Sequence, residues 1–254
     1  QCDWSSDVCS SDLVSYNAID SGTSKIRVVI TAEAGEPAAD AADWPVGFLI
    51  LDKNDRIVFN RGGVSTLLPA SKGVESPRLI LTSLTLDPGE YTLRIGAVDG
   101  TGRGGSVHAT INAKLSRIEG NLNVGDLIVV SQPPSAGDLP RPRPSGIIDN
   151  ENATAMLEMT GADQSLLSKT RVIMQVAESE TGNALINVEA RQAQRGNARA
   201  FAATMRLGVL PPGEYFARAI ISSPGHPDTL LARPFLLQPT ADPARSEEHT
   251  SELQ

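Results

Sequence analysis

Gly100-Thr101-Gly102-Arg103-Gly104-Gly105 has the Gly-x-Gly-x-x-Gly spacing that cradles a dinucleotide pyrophosphate. That chemistry needs a helix opening directly after the loop, so that its free N–H groups meet the phosphate oxygens. Here the alternating run Ser106-Val107-His108-Ala109-Thr110-Ile111 follows, and the expected structure is a hairpin. Asp20-Ser21-Gly22-Thr23-Ser24 comes close to the Asp-x-Ser-x-Ser set that offers hard oxygens to a divalent cation. Gly22 stands where the middle serine is needed, and no apolar strand precedes it, so a loop is expected. Asp52, Asn54 and Asp55, and the group Asp149, Asn150, Glu151 and Asn152, offer calcium-type oxygens. Neither group has the spacing to gather the about six to eight ligands that calcium takes, and turn chemistry explains both. His108 and His226 have no serine in a nucleophile-elbow context to pair with, so no triad can be drawn. No catalytic residue, metal site or cofactor is expected, and the chain is read as non-enzymatic.

Cys2 and Cys9 lie in a head that reads as foreign. A nucleotide sequence beginning AGATCGGAAGAGC encodes Arg245 to Gln254, and its reverse complement in another frame encodes Cys2 to Leu13. This is a common sequencing adapter, so residues 1–13 and 245–254 are expected to be adapter-derived and are set aside. Without them no cysteine remains for a disulfide or zinc argument. The formal net charge of −8 also shrinks. The ends account for six of the 30 acidic residues and one of the 22 basic ones, leaving −3. A mildly acidic, unpatterned surface gives no footprint for nucleic acid or an anionic membrane. No internal run is long enough to span a bilayer.

The elements that would position any site are organised around two near-identical stretches. One is Leu86-Asp87-Pro88-Gly89-Glu90-Tyr91-Thr92-Leu93-Arg94. The other is Leu210-Pro211-Pro212-Gly213-Glu214-Tyr215-Phe216-Ala217-Arg218. Pro88-Gly89 and Pro212-Gly213 read as tight turns, with each glycine expected to take positive φ. A strand follows each turn. Tyr91, Leu93, Ile95 and Ala97 form one apolar face, and Tyr215, Ala217, Ala219 and Ile221 form the other. A tyrosine at such a strand start, after Leu86 or Leu210, suggests a tyrosine corner, its hydroxyl bonded to upstream backbone.

The flanks repeat as well. Lys25–Ala32 matches Ala153–Thr160, Val46–Leu51 matches Arg171–Val176, and Arg56–Asn60 matches Leu185–Val188. Arg78–Leu84 matches Ala200–Leu207, and Val107–Ile111 matches Leu230–Leu236. Short strands at this spacing predict an all-β fold of two tandem Ig-like or fibronectin III-like antiparallel β-sandwiches. The first is placed at 14–119 and the second at 120–244, with a Pro-rich linker segment at 131–146. Glu33 to Asp43 and Arg61 to Pro77 read as loops, with a short strand near Ser65–Leu68. Thr240 to Ala244 is expected to be disordered. The counterpart of the strand Asp126–Val130 would fall at positions 1 to 6, so the first sandwich is expected to lack its first strand. Pairing of residues 14 to 24 as an edge strand would overturn that.

Ile50-Leu51-Asp52 to Ile57-Val58, Leu86–Arg94, Ala97-Val98-Asp99, Gly102-Arg103-Gly104 and Ser106-Val107 together resemble a known family. Asp126-Leu127-Ile128-Val129, Leu210–Arg218 and Arg233-Pro234-Phe235 extend the likeness. The region resembled follows the von Willebrand factor A-type domain in bacterial, acidobacterial-type VWFA-related proteins. The resemblance implies an exported protein and covers most of residues 25 to 237. It assigns no metal-binding residue, because the A-type domain itself has no counterpart here.

The reading that results is a structural and interaction module that spaces or presents a neighbouring domain at the cell envelope, with protein as its partner. The alternative is a carbohydrate-binding accessory module of a secreted enzyme. Trp44, beside Pro45, and Phe216 are the aromatics placed to stack on a sugar.

Overall fold

Alternation of apolar and polar residues dictates most of the strands, and the computed structural model describes residues 14–21, 23–70, 75–135 and 138–238 of the 254-residue chain. The adapter-like ends, Thr240 to Ala244, Gly22 and residues 136–137 of the Pro-rich segment lie outside the described residues.

The first half contains β1 (Val14–Asp20), β2 (Ile26–Ala38), β3 (Ala42–Asp52), β4 (Ile57–Pro69), β5 (Ser76–Leu86), β6 (Gly89–Val98) and β7 (Gly104–Ala113). They hydrogen-bond in the order β1-β2-β5-β4-β3-β6-β7. Strand β4 pairs with β3 along most of its length and meets β5 only at Leu68 and Pro69. The ladder folds over there into two layers, β1-β2-β5 and β4-β3-β6-β7. Val28 and Ile30 of one layer share a core with Ile50, Leu93, Ile95 and Ile111 of the other. Each such side chain contributes about 1.5–3 kcal/mol on burial.

The second half contains β8 (Ser116–Ile118), β9 (Leu122–Val124), β10 (Ile128–Val130), β11 (Ile147–Ile148) and β12 (Asn152–Gly161). After these come the short helix α1 (Gln164–Lys169), β13 (Arg171–Ala177), β14 (Ala184–Glu189), β15 (Arg191–Arg195), β16 (Ala198–Arg206), β17 (Gly213–Ser222) and β18 (Thr229–Leu237). One layer runs β15-β16-β12-β9-β8, with β10 also on β12, and the other runs β11-β18-β17-β13-β14. All pairs are antiparallel except β11 with β18. Leu157 and Phe201 of the first layer pack with Met174, Val176 and Tyr215 of the second. The two halves are all-β sandwiches of Ig-like strand order.

Equivalent strands keep equivalent registers. Val46 faces Ala97 and Ile50 faces Leu93 in the first sandwich; Val172 faces Ile221 and Val176 faces Ala217 in the second. Tyr91 lies opposite Ile111, and Tyr215 opposite Phe235.

Several sequence expectations change. The first sandwich does not lack its first strand: β1 pairs with β2 from Val14–Ala32 to Asp20–Ile26. Ala18 lies opposite Val28 in β2 as Ile128 lies opposite Met156 in β12. The matching strands are closer in the chain than the repeat spacing implies, because the second half inserts its Pro-rich segment between them. That segment does not join the sandwiches. It leaves β10 in one layer of the second sandwich and reaches β11 in the other. The expected loops at Glu33–Asp43 and Arg61–Pro77 are largely strand, since β2 runs to Ala38 and β4 runs unbroken through Gly62 and Gly63 to Pro69. Helix α1 and the fully exposed strand β15 were not foreseen. Asp163 caps α1 by accepting a hydrogen bond from the Leu166 N–H at 2.9 Å.

Candidate functional site at the junction of the sandwiches

The repeated turns come first, because they frame both sandwiches. The Tyr91 hydroxyl donates to the Asp87 carbonyl at 2.8 Å, and the Tyr215 hydroxyl donates to the Pro211 carbonyl at 2.8 Å. Leu86 is buried, and Leu210 packs against the second core. Tyr215 is 5% exposed, whereas Tyr91 is only half-buried. Burial and the nearby Asp87 carboxylate raise the Tyr91 phenol above its ordinary value. Gly89 and Gly213 do not take the positive φ expected of them; they open β6 and β17. Pro88 and Pro212 are exposed ahead of them.

The motifs with possible chemistry become turns. Gly100–Gly105 lies in the β6–β7 hairpin, with Asp99 at its root. The Asp99 carboxylate accepts from the N–H groups of Thr101 and Arg103 at 2.8 and 2.9 Å and from the Thr101 hydroxyl at 2.7 Å. These bonds, the Thr101 hydroxyl foremost, hold its acidity well above that of an ordinary carboxyl. Asp52 does the same in the β3–β4 hairpin, accepting from Asn54 and Arg56 N–H at 2.8 and 3.0 Å. Both loops close through a residue of positive φ, Asp55 or Gly102. The acidic oxygens are thus engaged by backbone. Asp149 receives Arg143 Nη1 at 3.2 Å. No group of three potential metal-ligating side chains gathers among the described residues. His108 stands exposed on β7, and His226 sits beside Gly120 in the second sandwich.

Trp44 is not available for sugar stacking. It is 6% exposed, and a Cβ on Gly35 would fall 2.5 Å from its ring. The Arg78 guanidinium covers the ring at 5.5 Å. Phe216 is half-buried.

What the structure does assemble is a junction. Residues 125–127 separate β9 from β10 and run against β1. The Asp126 N–H donates to the Ala18 carbonyl at 2.9 Å, and the Ala18 N–H donates to Asp126 Oδ2 at 2.7 Å. A Cβ at Gly125 would lie 2.9 Å from that carbonyl, so only glycine permits the approach. Arg233 Nη1 donates to the Leu127 carbonyl at 3.1 Å and to Asn17 Oδ1. Asn17 is fully buried, and its Nδ2 has no partner. Burial raises the Asp126 carboxyl above its ordinary value, outweighing the Ala18 N–H and the Arg233 charge. Burial also makes the Arg233 guanidinium easier to deprotonate, against the favourable Asp126 charge.

The Pro-rich segment supplies the other side. Arg143 Nε lies 3.2 Å from Glu33 Oε1, with side chains 9% and 6% exposed. Ser145 Oγ donates to the same carboxylate oxygen at 2.7 Å. Between the polar ends, Ile19 and Val29 of the first sandwich pack with Ile128 and Val130 of the second, flanked by Leu81, Leu139 and Met156. An open groove of about 770 Å³ runs along the junction between Tyr16, Arg117, Asp126 and Arg233.

The sequence reading did not single these residues out as a site, although Asp126 and Arg233 are among those that carry the family resemblance. One signal was available. Arg233 falls at an inward position of β18, between Leu231 and Phe235, where an unpaired charge would be costly.

A further buried cation lies outside the junction. Arg218 Nη1 donates to the carbonyls of Glu180 and Gly182 at 3.1 and 2.7 Å, and its Nη2 donates to Gln175 Oε1 at 2.6 Å. It thereby holds residues 178–183, the β13–β14 loop, over the outer sheet face. Its Nε has no partner.

No protein-family model matches the chain. No curated protein matches it either. Among solved structures it is similar to a red sea bream transglutaminase at 10% identity, covering 89% of this chain and 31% of that one, TM-score 0.27. It is also similar to a D1–D4 ectodomain fragment of ICAM-5 at 9% identity, covering 91% and 54%, TM-score 0.31. A tetra-tandem repeat from the extending region of a large adhesion protein gives 17% identity, 89% and 48% coverage, and TM-score 0.26. The chain therefore spans less than two thirds of each of these chains. No described helix is long and apolar enough to cross a membrane.

Proposed function

We propose that the chain is a non-catalytic structural and interaction module of an exported bacterial VWFA-related protein, holding a neighbouring domain at a set orientation at the cell envelope. The observation that supports this is the junction. The two Ala18–Asp126 hydrogen bonds, one through backbone and one through the Asp126 carboxylate, together with the buried Arg143–Glu33 pair and the apolar cluster between them, oppose rotation of one sandwich against the other. Domains joined by a bare linker reorient freely, whereas a packed, partly apolar interface fixes them. Its partner is protein: the domain it presents and the surface that domain meets.

Residual dipolar couplings test the fixed orientation. A single alignment tensor is expected to fit both sandwiches. Separate tensors would overturn the spacer reading. The joint replacement Asp126→Ala and Glu33→Ala is expected to split the tensor while each sandwich keeps its own amide pattern. The complete reading frame of the encoding gene is expected to place an A-type domain and an export signal before this segment.

A further inference from the structure

The outer faces of the two equivalent four-stranded layers differ at one row of positions. In the first sandwich the row crossing β4, β3, β6 and β7 is Gly62, Gly47, Gly96 and Ser106, each paired in register with the next. In the second sandwich the matching row on β14, β13, β17 and β18 is Glu189, Ile173, Ile220 and Leu230. The first row is a trough floored by backbone, and the second is a ridge of branched side chains.

Nothing inside the first sandwich requires the glycines. A Cβ at Gly47 would meet no atom within 4 Å, and at Gly62 or Gly96 only a backbone oxygen at 4.0 or 3.9 Å. Mid-strand glycine weakens a sheet, and it recurs where a ligand or another chain must approach the backbone closely. The trough is bordered by Val64 and Val98, 72% and 38% exposed, and on its other side by Arg94 and His108. The ridge residues Ile173 and Leu230 are 38% and 44% exposed, and the ridge ends on Glu189. The chain thus displays a glycine-floored strip with the Arg94 guanidinium beside it and a strip of branched apolar side chains with the Glu189 carboxylate at its end. No described residue covers the exposed Val64, Val98, Ile173 and Leu230.

We propose that the ridge of one copy of this chain seats in the trough of another, giving a head-to-tail contact between its second and first sandwiches. Such a contact uses two different surfaces, so it propagates or closes into a ring rather than stopping at a dimer. The strips are small, so association is weak and needs high local concentration. The inference does not depend on the junction reading. Loosening the junction leaves both strips intact.

Sedimentation velocity of the whole chain tests it, at concentrations up to about 1 mM, where small interfaces associate. Wild-type protein is expected to show mass rising with concentration. Gly47→Ile, which fills the trough, and Ile173→Asp, which breaks the ridge, are each expected to remain monomeric. Leu230→Lys repeats the ridge test on a different strand, and unchanged thermal midpoints show that the variants fold. Mixing Gly47→Ile with Ile173→Asp is expected to restore a 1:1 complex, because each retains the half the other lacks. A wild-type monomer throughout the range, assembly indifferent to these substitutions, or a mixture that stays monomeric would each overturn the proposal.

Discussion

Arg94 and Arg218 hold the same place in the two sandwiches, each on the outer face of the strand that begins at the repeated Pro-Gly turn. Arg94 is exposed beside Leu49 and His108. Arg218 is 6% exposed, with Gln175 at the position of Leu49 and a loop folded over it. The difference begins with loop length. Residues 53–56 make a tight hairpin around Asp52, while residues 178–183 are long enough to lie back on the sheet. Two added residues convert a solvated arginine into a buried anchor, and the strand register does not change.

The contrast can be broken most sharply by removing the two arginines in turn. Arg218→Ala leaves two carbonyls and a glutamine without their donor, and is expected to cost roughly 3 kcal/mol. Arg94→Ala is expected to stay within about 0.5 kcal/mol. Urea unfolding measures both, and equal losses would refute the contrast. The tyrosines give a smaller version. Tyr215→Phe removes a part-buried hydrogen bond made from a buried ring and is expected to cost about 1–1.5 kcal/mol, against about 0.5–1 kcal/mol for the half-exposed Tyr91→Phe.

Asp126 sharpens the comparison through pH. Its acidity is weakened in the folded chain, so native protein holds a proton that the unfolded chain has already released. Its contribution is complete below the ordinary carboxyl value and is lost as pH rises through the elevated one. Asp126→Asn is therefore expected to gain stability relative to wild type as pH rises above the ordinary carboxyl value of about 4. A difference independent of pH would contradict the assignment. The smallest effect belongs to the turn glycines. Neither Gly89 nor Gly213 has positive φ, and an added Cβ meets the tyrosine ring at 3.6 or 3.7 Å, an ordinary contact. Gly89→Ala and Gly213→Ala are expected to stabilise by about 0.4–1 kcal/mol. Thermal midpoints that fall would show strain at these positions.

The inner faces of β6 and β17 could be read from alternation, because one side of each strand meets the core and the other does not. Strand β1 could not. Val14, Asn17, Ala18 and Ile19 are all buried, since the second sandwich covers the strand where water would otherwise reach it. A strand covered from two directions loses its period. The Gly62-Gly63 pair hid the length of β4, and Arg191-Gln192-Ala193-Gln194-Arg195 has no apolar residue to announce β15. Proline density suggests stiff, extended backbone at 131–146 but says nothing about which layers that backbone connects. The junction stayed invisible because its contacts pair residues more than a hundred positions apart, as in Ala18 with Asp126.

That seal on β1 has a consequence for anyone cutting the protein in two. Residues 14–115 alone would present β1 as a raw border, its Ala18 N–H and C=O turned outward with nothing to bond. Such borders recruit strands from other molecules. The excised half should precipitate as fibres more readily than the intact chain.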